Sequence, residues 1–267
     1  MPDDVAAALA PHAVTAALNY LRPPADGSRP YRYVDEPPPG RPRTTIEIDP
    51  REMRIEDISG REHLFSLDAN GFAVLDAPTA VADLTDDTLV RTAYRAEVEA
   101  LLRARLGASR VVMFDHTIRG QGPADAGGMQ RVRDLLPEEA DALLARRFAI
   151  VNLWRPIGLP AIDSPLALCD AASLDAERDL VVNELIYPDR VGQTFSVRWH
   201  AAHRWHYRRG LRPDQALLIK GHDSATDGRA RLSAHGAFDD PETPPGTPPR
   251  QSIEVRTLVF WDAKADG

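Results

Sequence analysis

His235-Gly236-Ala237-Phe238-Asp239-Asp240-Pro241 and, across a proline-rich interval, Arg250-Gln251-Ser252-Ile253-Glu254-Val255-Arg256 form the stretch whose reading decides the fold. From Ser252 to Trp261 the chain is rich in β-branched and aromatic residues, the composition of a strand. A shorter strand signal lies around His235, and Gly236 to Pro249 reads as a loop between two strands. It is not a domain linker, because strand signal resumes directly after it. One side chain before the loop (His235) could ligate a metal. One after it (Arg250) carries a planar fork of donors that matches a carboxylate. The plainer reading, a loop histidine and a surface arginine flanking a core strand, stands beside it.

Working outward, Val111-Val112-Met113-Phe114, Phe148 to Trp154, Leu166-Ala167-Leu168, Thr194 to Trp199 and Ala216 to Lys220 are short apolar or alternating runs bounded by turns. Thr44 to Ile48 alternates polar and apolar residues like a half-buried strand. Helix signal is concentrated earlier. Val5 to Leu21 predicts a short helix ended by Pro23-Pro24-Ala25-Asp26-Gly27. Thr85 is the expected cap of a longer helix in which Val90, Tyr94, Val98 and Leu101 recur and which Gly107 stops. A further helix is expected from Pro137 to about Arg147. This order predicts a mainly β fold with flanking helices, a jelly roll. It also predicts a single domain over residues 1–267, with residues 1 to about 110 forming a helical and strand extension.

Composition narrows the function. The chain has 267 residues, 43% of them hydrophobic, and a formal net charge of −8. That charge argues against nucleic acid or an anionic membrane as the main partner. Cys169 is the single cysteine, so no intrachain disulfide can form. No apolar run approaches the ~20 residues of a membrane helix, and Met1 to Ala10 lacks the basic start of a targeting peptide. The expectation is a cytoplasmic protein. Phosphate-binding glycine loops, zinc-module spacings and a Gly-x-Ser-x-Gly elbow are all absent from the sequence.

Several phrases, in order along nearly the whole chain, resemble the CmcJ-like, gibberellin desaturase-like family of non-haem iron oxygenases. They are Leu18-Asn19-Tyr20, Phe114-Asp115-His116-Thr117-Ile118-Arg119, Asn152-Leu153-Trp154-Arg155-Pro156-Ile157 and Pro165 to Ala171. His203-Arg204-Trp205, Lys220 with Asp223-Ser224, and Arg250 to Arg256 complete the set. The resemblance implies a double-stranded β-helix using Fe(II), 2-oxoglutarate and O2 to hydroxylate or desaturate a small molecule, in natural-product or secondary metabolism. On that reading His235 is an iron ligand, while Arg250 and Ser252 hold the distal carboxylate of 2-oxoglutarate. Arg119, Asn152, Trp154 and Arg155 are then substrate-binding candidates. Asn152 and Trp154 alternate onto one strand face, expected to point into the barrel, with Leu153 pointing out.

The sequence departs from this family at one point. An iron site of this kind takes a His-x-Asp pair from an earlier strand, and none of the eight histidines is followed two places on by Asp or Glu. The family places the pair between the phrase ending at Arg119 and the segment matching Gln130 to Asp134. Here Gly120 to Met129 is short, glycine-rich and without histidine. Three readings stay open. The native chain carries a further stretch near Ala126-Gly127; or the pair is lost, leaving a non-catalytic jelly-roll binding protein; or a substitute set such as His116 or Asp115 with His235 serves instead. His200, His203 and His206 invite a metal reading, but on a strand His203 faces away from the other two, and the run reads as structural. Cys169 reads as a small buried hydrophobe, and Asp163, Asp170, Glu184 and Asp189 as turn residues or solvated charges.

Overall fold

The alternation of Val14, Ala16, Leu18 and Tyr20 puts four apolar side chains on one face of an extended segment, and there the chain forms strand β1 (Ala13–Arg22). The helix expected over Val5 to Leu21 is therefore corrected in its described part. Alanine and leucine favour helix only weakly, and a period-two apolar face that finds a partner strand overrides them. That partner is β3 (Glu47–Asp57), paired antiparallel from Ala13↔Glu56 to Arg22↔Glu47. The structure, a computed structural model, describes residues 12–118 and 128–262, less the side chains of Gly128 and Gln130. Arg119 and the Ala126-Gly127 position lie outside the described residues.

The remaining strands are β2 (Tyr31–Tyr33), β4 (Phe72–Asp76), β5 (Arg110–Ile118), β6 (Phe148–Pro156), β7 (Leu166–Cys169), β8 (Leu180–Ile186) and β9 (Val191–Val197). They continue with β10 (Trp205–Tyr207), β11 (Gln215–Asp223), β12 (His235–Ala237) and β13 (Ser252–Phe260). Two five-stranded sheets result, the smaller ordered β1-β3-β10-β7-β12 and the larger, with more residues in its strands, ordered β4-β11-β6-β13-β5, beside a third sheet of three strands, β2-β8-β9. Antiparallel pairs nest about the middle of the chain: β7 with β10, β6 with β11, β5 with β13. This is a jelly roll, one long folded-back ribbon whose strands are divided between two facing sheets.

Period-two alternation sorts the core into layers. Leu166 and Leu168 of β7 pack inward against Phe72, Trp154, Leu217 and Ile219 of the larger sheet, while Ala167 and Cys169 face the outer layer with Tyr20, Trp205 and Tyr207. On the outer face of the larger sheet, Val151, Leu153, Ile253 and Val255 lie beneath a helix. That helix begins one residue later than expected: Asp86 caps it, accepting from the Thr88 and Leu89 N–H groups at 2.8 and 3.1 Å. A π-helical turn, Val90–Tyr94, leads into α1 (Arg95–Leu106), and Gly107 at φ 62° closes it. The buried stripe is Val90, Tyr94, Val98 and Leu102, the last in place of Leu101.

Helices α2 (Gly128–Leu135) and α3 (Ala140–Leu144) cover the inner face of the larger sheet at its far end, where Val132 and Ala140 meet Phe148, Ile150, Leu258 and Phe260. The last of the expected helices is thus shorter than Pro137 to Arg147. A fourth helix, α4 (Ala176–Asp179), precedes β8. Cys169 is buried, and burial pushes its thiol up to about 12, as a small hydrophobe requires.

A buried ion cluster ties down the segment that enters β12. Lys220 Nζ donates to Asp223 Oδ2 at 2.8 Å, Asp68 Oδ1 at 2.9 Å and the Ala230 carbonyl at 2.9 Å. Arg147 closes on Asp223 at 2.7 Å. Ser233 N–H then reaches the Lys220 carbonyl at 2.9 Å, and Ser233 Oγ the Cys169 carbonyl at 2.8 Å. Burial pushes the Asp223 carboxyl up, but Arg147 and Lys220 outweigh it and hold the group below its ordinary value. Asp223→Ala takes from the buried Lys220 its buried counter-ion, leaving it Asp68 and the Ala230 carbonyl, and leaves the half-buried Arg147 with Asp68; breaking such a pair is expected to cost about 3 kcal/mol in urea unfolding. Because the folded pKa is depressed, the carboxylate's contribution is complete above the ordinary value near ~4 and is lost as pH falls through the depressed one. The Asp223→Ala protein should therefore lose less stability on acidification than the parent.

Candidate functional site

Strand β12 is only three residues long, and its pairing decides where His235 points. His235 stands opposite Leu168, whose side chain packs in the layer between the two sheets, so the imidazole faces that interior. Its Nδ1 lies 3.2 Å from the Ser233 carbonyl. A carbonyl only accepts, so Nδ1 is the donor there, which leaves Nε2 as the nitrogen turned away from the backbone, the one a metal would use.

Arg250 lies just before β13 and is positioned from both sides. Its N–H donates to Asp163 Oδ2 at 3.1 Å, its Nη1 donates to the Ser164 carbonyl, and the guanidinium carbon sits 5.1 Å from the centre of the Trp154 ring. Trp154 belongs to the inter-sheet layer, so Arg250 and His235 address the same interior. Ser164 adopts φ 47°, the left-handed region that a non-glycine residue rarely occupies, and the turn it makes turns its carbonyl to Arg250. Sequence reading took Asp163 as a simple turn residue; nothing in the pattern tied the Asp163-Ser164-Pro165 turn to an arginine far along the chain.

Beyond Arg250 the inward row of β13 is Ser252, Glu254 and Arg256, facing Pro156, Trp154 and Asn152 across β6. Ser252 and Asn152 are each 3% exposed. Asn152 Nδ2 donates to Glu254 Oε1 at 3.1 Å, and its Oδ1 is buried without a hydrogen-bond partner. Arg256 is committed to two carboxylates, Glu254 at 3.1 Å and Asp115 at 2.6 Å. Glu254 and Asp115 are the site-lining acids that sequence reading passed over or weighed only as a metal ligand.

Other candidates are placed elsewhere. Arg155 points to the opposite face, into the layer under α1, where its guanidinium lies 5.4 Å from the Tyr94 ring centre. It is 0% exposed, and none of its three nitrogens has a hydrogen-bond partner among the described residues. The structure does not bring it to the inter-sheet space with Asn152 and Trp154. His116 pairs with Asp87 at 3.1 Å and stands opposite Val255 of the helix-covered layer, so it does not converge with His235. His203 is locked on the outer side of the smaller sheet between Asp179 at 3.0 Å and the Tyr20 hydroxyl at 3.2 Å. His206 does face inward, but it packs against the Phe65 and Phe72 rings, and burial lowers its pKa. Leu168 stands between it and His235.

These positions test the fit of an iron centre. A facial Fe(II) site needs two imidazoles and a carboxylate converging on one point. Among the described residues no three His, Cys, Asp or Glu side chains converge in that way. The interval 119–127 offers one acidic residue, Asp125, and no His, Cys or Glu. The described residues supply one imidazole aimed as a ligand and do not complete the metal's ligand set. The arginine side does fit a dicarboxylate: a fork fixed in plane by a carbonyl and an indole, with a buried hydroxyl two residues on.

Comparison with known proteins agrees on the family. Residues 18–260 match the family model described as an oxidoreductase/YMDC permease-like domain. A hydroxylase/desaturase of Hormonema carpetanum is 32% identical over an alignment covering 93% of this chain and 95% of that protein. An Fe(II)/2-oxoglutarate-dependent dioxygenase of Aspergillus novofumigatus is 29% identical, covering 90% and 94%. The solved structure of an iron and alpha-ketoglutarate-dependent endoperoxidase superposes with a TM-score of 0.84 at 27% identity, covering 94% of this chain and 99% of that one. The alignment with the Hormonema protein runs to 290 positions, more than this chain's 267 residues, so that relative carries residues with no counterpart here.

The shared Glu254 carboxylate gives a structural check on the inward row. Glu254→Ala leaves Asn152 and one arm of Arg256 without their acceptor. An expected loss of about 1–3 kcal/mol, read by urea denaturation, follows from stranding buried donors.

Proposed function

The chain belongs to the Fe(II)/2-oxoglutarate-dependent oxygenases of the hydroxylase/desaturase family, and from that membership we propose that its inter-sheet space binds 2-oxoglutarate through Arg250 and Ser252, beside His235. The observation that carries this reading is the double anchoring of Arg250. A guanidinium held on the Ser164 carbonyl and against Trp154 has already lost the rotamer freedom that carboxylate binding would otherwise remove. Ser252 adds a buried hydroxyl on the same face. Arg256, engaged by Glu254 and Asp115, serves to hold the inward row and not the co-substrate.

The second substrate is a small molecule that lies against Trp154 and Asn152. The buried Asn152 Oδ1 is an acceptor in need of a donor, which a substrate hydroxyl supplies. Relatives include a protein of aspirochlorine biosynthesis in Aspergillus oryzae, and oxidation of a natural product or related small molecule is the setting proposed here. No helix among the described residues is long and apolar enough to cross a membrane. The cytoplasm is the compartment proposed for this acidic chain, and one jelly-roll unit with residues 1 to about 110 as its extension is the proposed domain organisation.

Arg250→Ala should weaken 2-oxoglutarate binding by on the order of tenfold to a hundredfold, as loss of one member of a charge-assisted pair does. The circular dichroism spectrum should be unchanged. Calorimetric titration decides it: unaltered affinity would mean that another residue holds the co-substrate.

A further inference from the structure

Three lysine and arginine side chains are buried among the described residues: Arg155, Lys220 and Arg256. Two of them have carboxylate partners, Lys220 in Asp223 and Asp68, and Arg256 in Asp115 and Glu254. Arg155 has none among the described residues. Its Nε, Nη1 and Nη2 are buried without a hydrogen-bond partner there, and so is the hydroxyl of Tyr94, whose ring centre lies 5.4 Å from the guanidinium carbon. The shell around the pair is apolar. Leu153 lies on the same face of β6, and Ala216, one step on from the Leu217↔Trp154 pair, flanks Arg155 on β11. Ile253 of β13 stands opposite on the other side, so β13 separates Arg155 from β5.

The carboxylates nearest this layer are engaged elsewhere. Glu97 of α1 accepts from the Ala80 N–H at 3.0 Å, and the exposed Asp214 pairs with Arg212 at 2.9 Å. Asp214 is held below its ordinary value chiefly by Arg212, with Arg155 the least of the causes. Nor does the pair neutralise itself. A guanidinium keeps its proton inside a protein. Burial pushes the Tyr94 phenol up and outweighs the lowering by Arg155, so that hydroxyl stays a donor. The ring face offsets part of the charge but gives the N–H groups in the guanidinium plane no acceptor. Water would satisfy those donors and still leave a net charge in an apolar layer, where a charge persists only with a counter-charge. We propose that Arg155 and the Tyr94 hydroxyl hold a small monovalent anion of chloride size beneath α1, taken up as the chain folds. Complete enclosure selects an ion that is compact and singly charged, since one guanidinium balances one negative charge. Tyr94 closes the π-helical turn Val90–Tyr94, an irregularity that helices tend to keep at functional sites. The site lies on the opposite face of β6 from Trp154 and Asn152, and it does not depend on the reading of Arg250.

The test is the chloride dependence of urea unfolding of the full chain. Ionic strength is held constant with gluconate, which is too large to be enclosed there. An ion bound by the folded state alone stabilises it by mass action. Once chloride exceeds its dissociation constant, each tenfold rise should raise the folding constant about tenfold. Bromide should act as chloride does. Arg155→Met puts an apolar side chain into an apolar layer, an exchange that is often neutral or stabilising, and should remove the response. Tyr94→Phe should keep the response but need about threefold to tenfold more chloride, as loss of one hydrogen bond implies. Chloride-independent unfolding of the parent would show that water alone meets these donors, and the proposal would fall. An equal response in the parent and in Arg155→Met would overturn it too. If Arg155→Met does not fold, Tyr94→Phe decides: a chloride response identical to the parent's would overturn the site.

Discussion

The register of β13 is the constraint on which the rest of the molecule depends. This strand is hydrogen-bonded on both sides, to β5 from Ile253↔Ile118 to Phe260↔Arg110 and to β6 from Ser252↔Pro156 to Phe260↔Phe148. Its odd residues, Ile253 and Val255, belong to the dry layer under α1. Its even residues, Ser252, Glu254 and Arg256, face the interior. A slip of one place would drive two charges under the helix and two apolar side chains into the polar interior, so the hydrophobic layer fixes the register. Arg250, two residues before the strand, inherits its position from that register and from the Asp163-Ser164 turn that receives it.

Much of this could be read from the residues. The strands from Val111 to Phe114, Phe148 to Trp154, Ala216 to Lys220 and Ser252 to Trp261 stand where their runs of β-branched and aromatic residues predict. Asn152 and Trp154 share one face because a strand has period two. The first strand was not legible as such. Ala13 to Arg22 is rich in alanine and leucine, and only the partner β3, found across a long proline-rich connection, makes its alternation count. Arg155 illustrates a different limit. Sequence places it next to Trp154 but cannot say that adjacency on a fully buried strand means opposite faces, one lining the interior and one lying under α1 against Tyr94.

The partners that orient the site were the least visible part. Asp163 and Ser164 reach Arg250 across more than eighty residues of chain. Glu254 was visible only as a charge inside a strand, and its link to Asn152 and Arg256 exists only once β6 and β13 are in register. Such contacts follow from topology, and topology is not written in any local pattern. The histidines show the converse. The alternation of a strand already sets His203 on the face opposite His200 and His206, and the fold keeps them apart: His203 in a buried Asp179–Tyr20 pair, and His206 among phenyl rings.

The division of the site between two kinds of strand explains how the fold and the metal site can part company. The side proposed for the co-substrate hangs on β13, a central strand whose loss would unpair both neighbours and open the helix-covered core. His235, proposed for the metal side, hangs on β12, a three-residue strand at the edge of its sheet among the described residues. Removing a strand at such an edge breaks one ladder and leaves the nested pairs inside and outside it intact. The apolar surface exposed on the larger sheet is covered here by Val132 and Ala140 of α2 and α3. Stability therefore exerts little pull on the region that would complete an iron centre, while it strongly protects the arginine side.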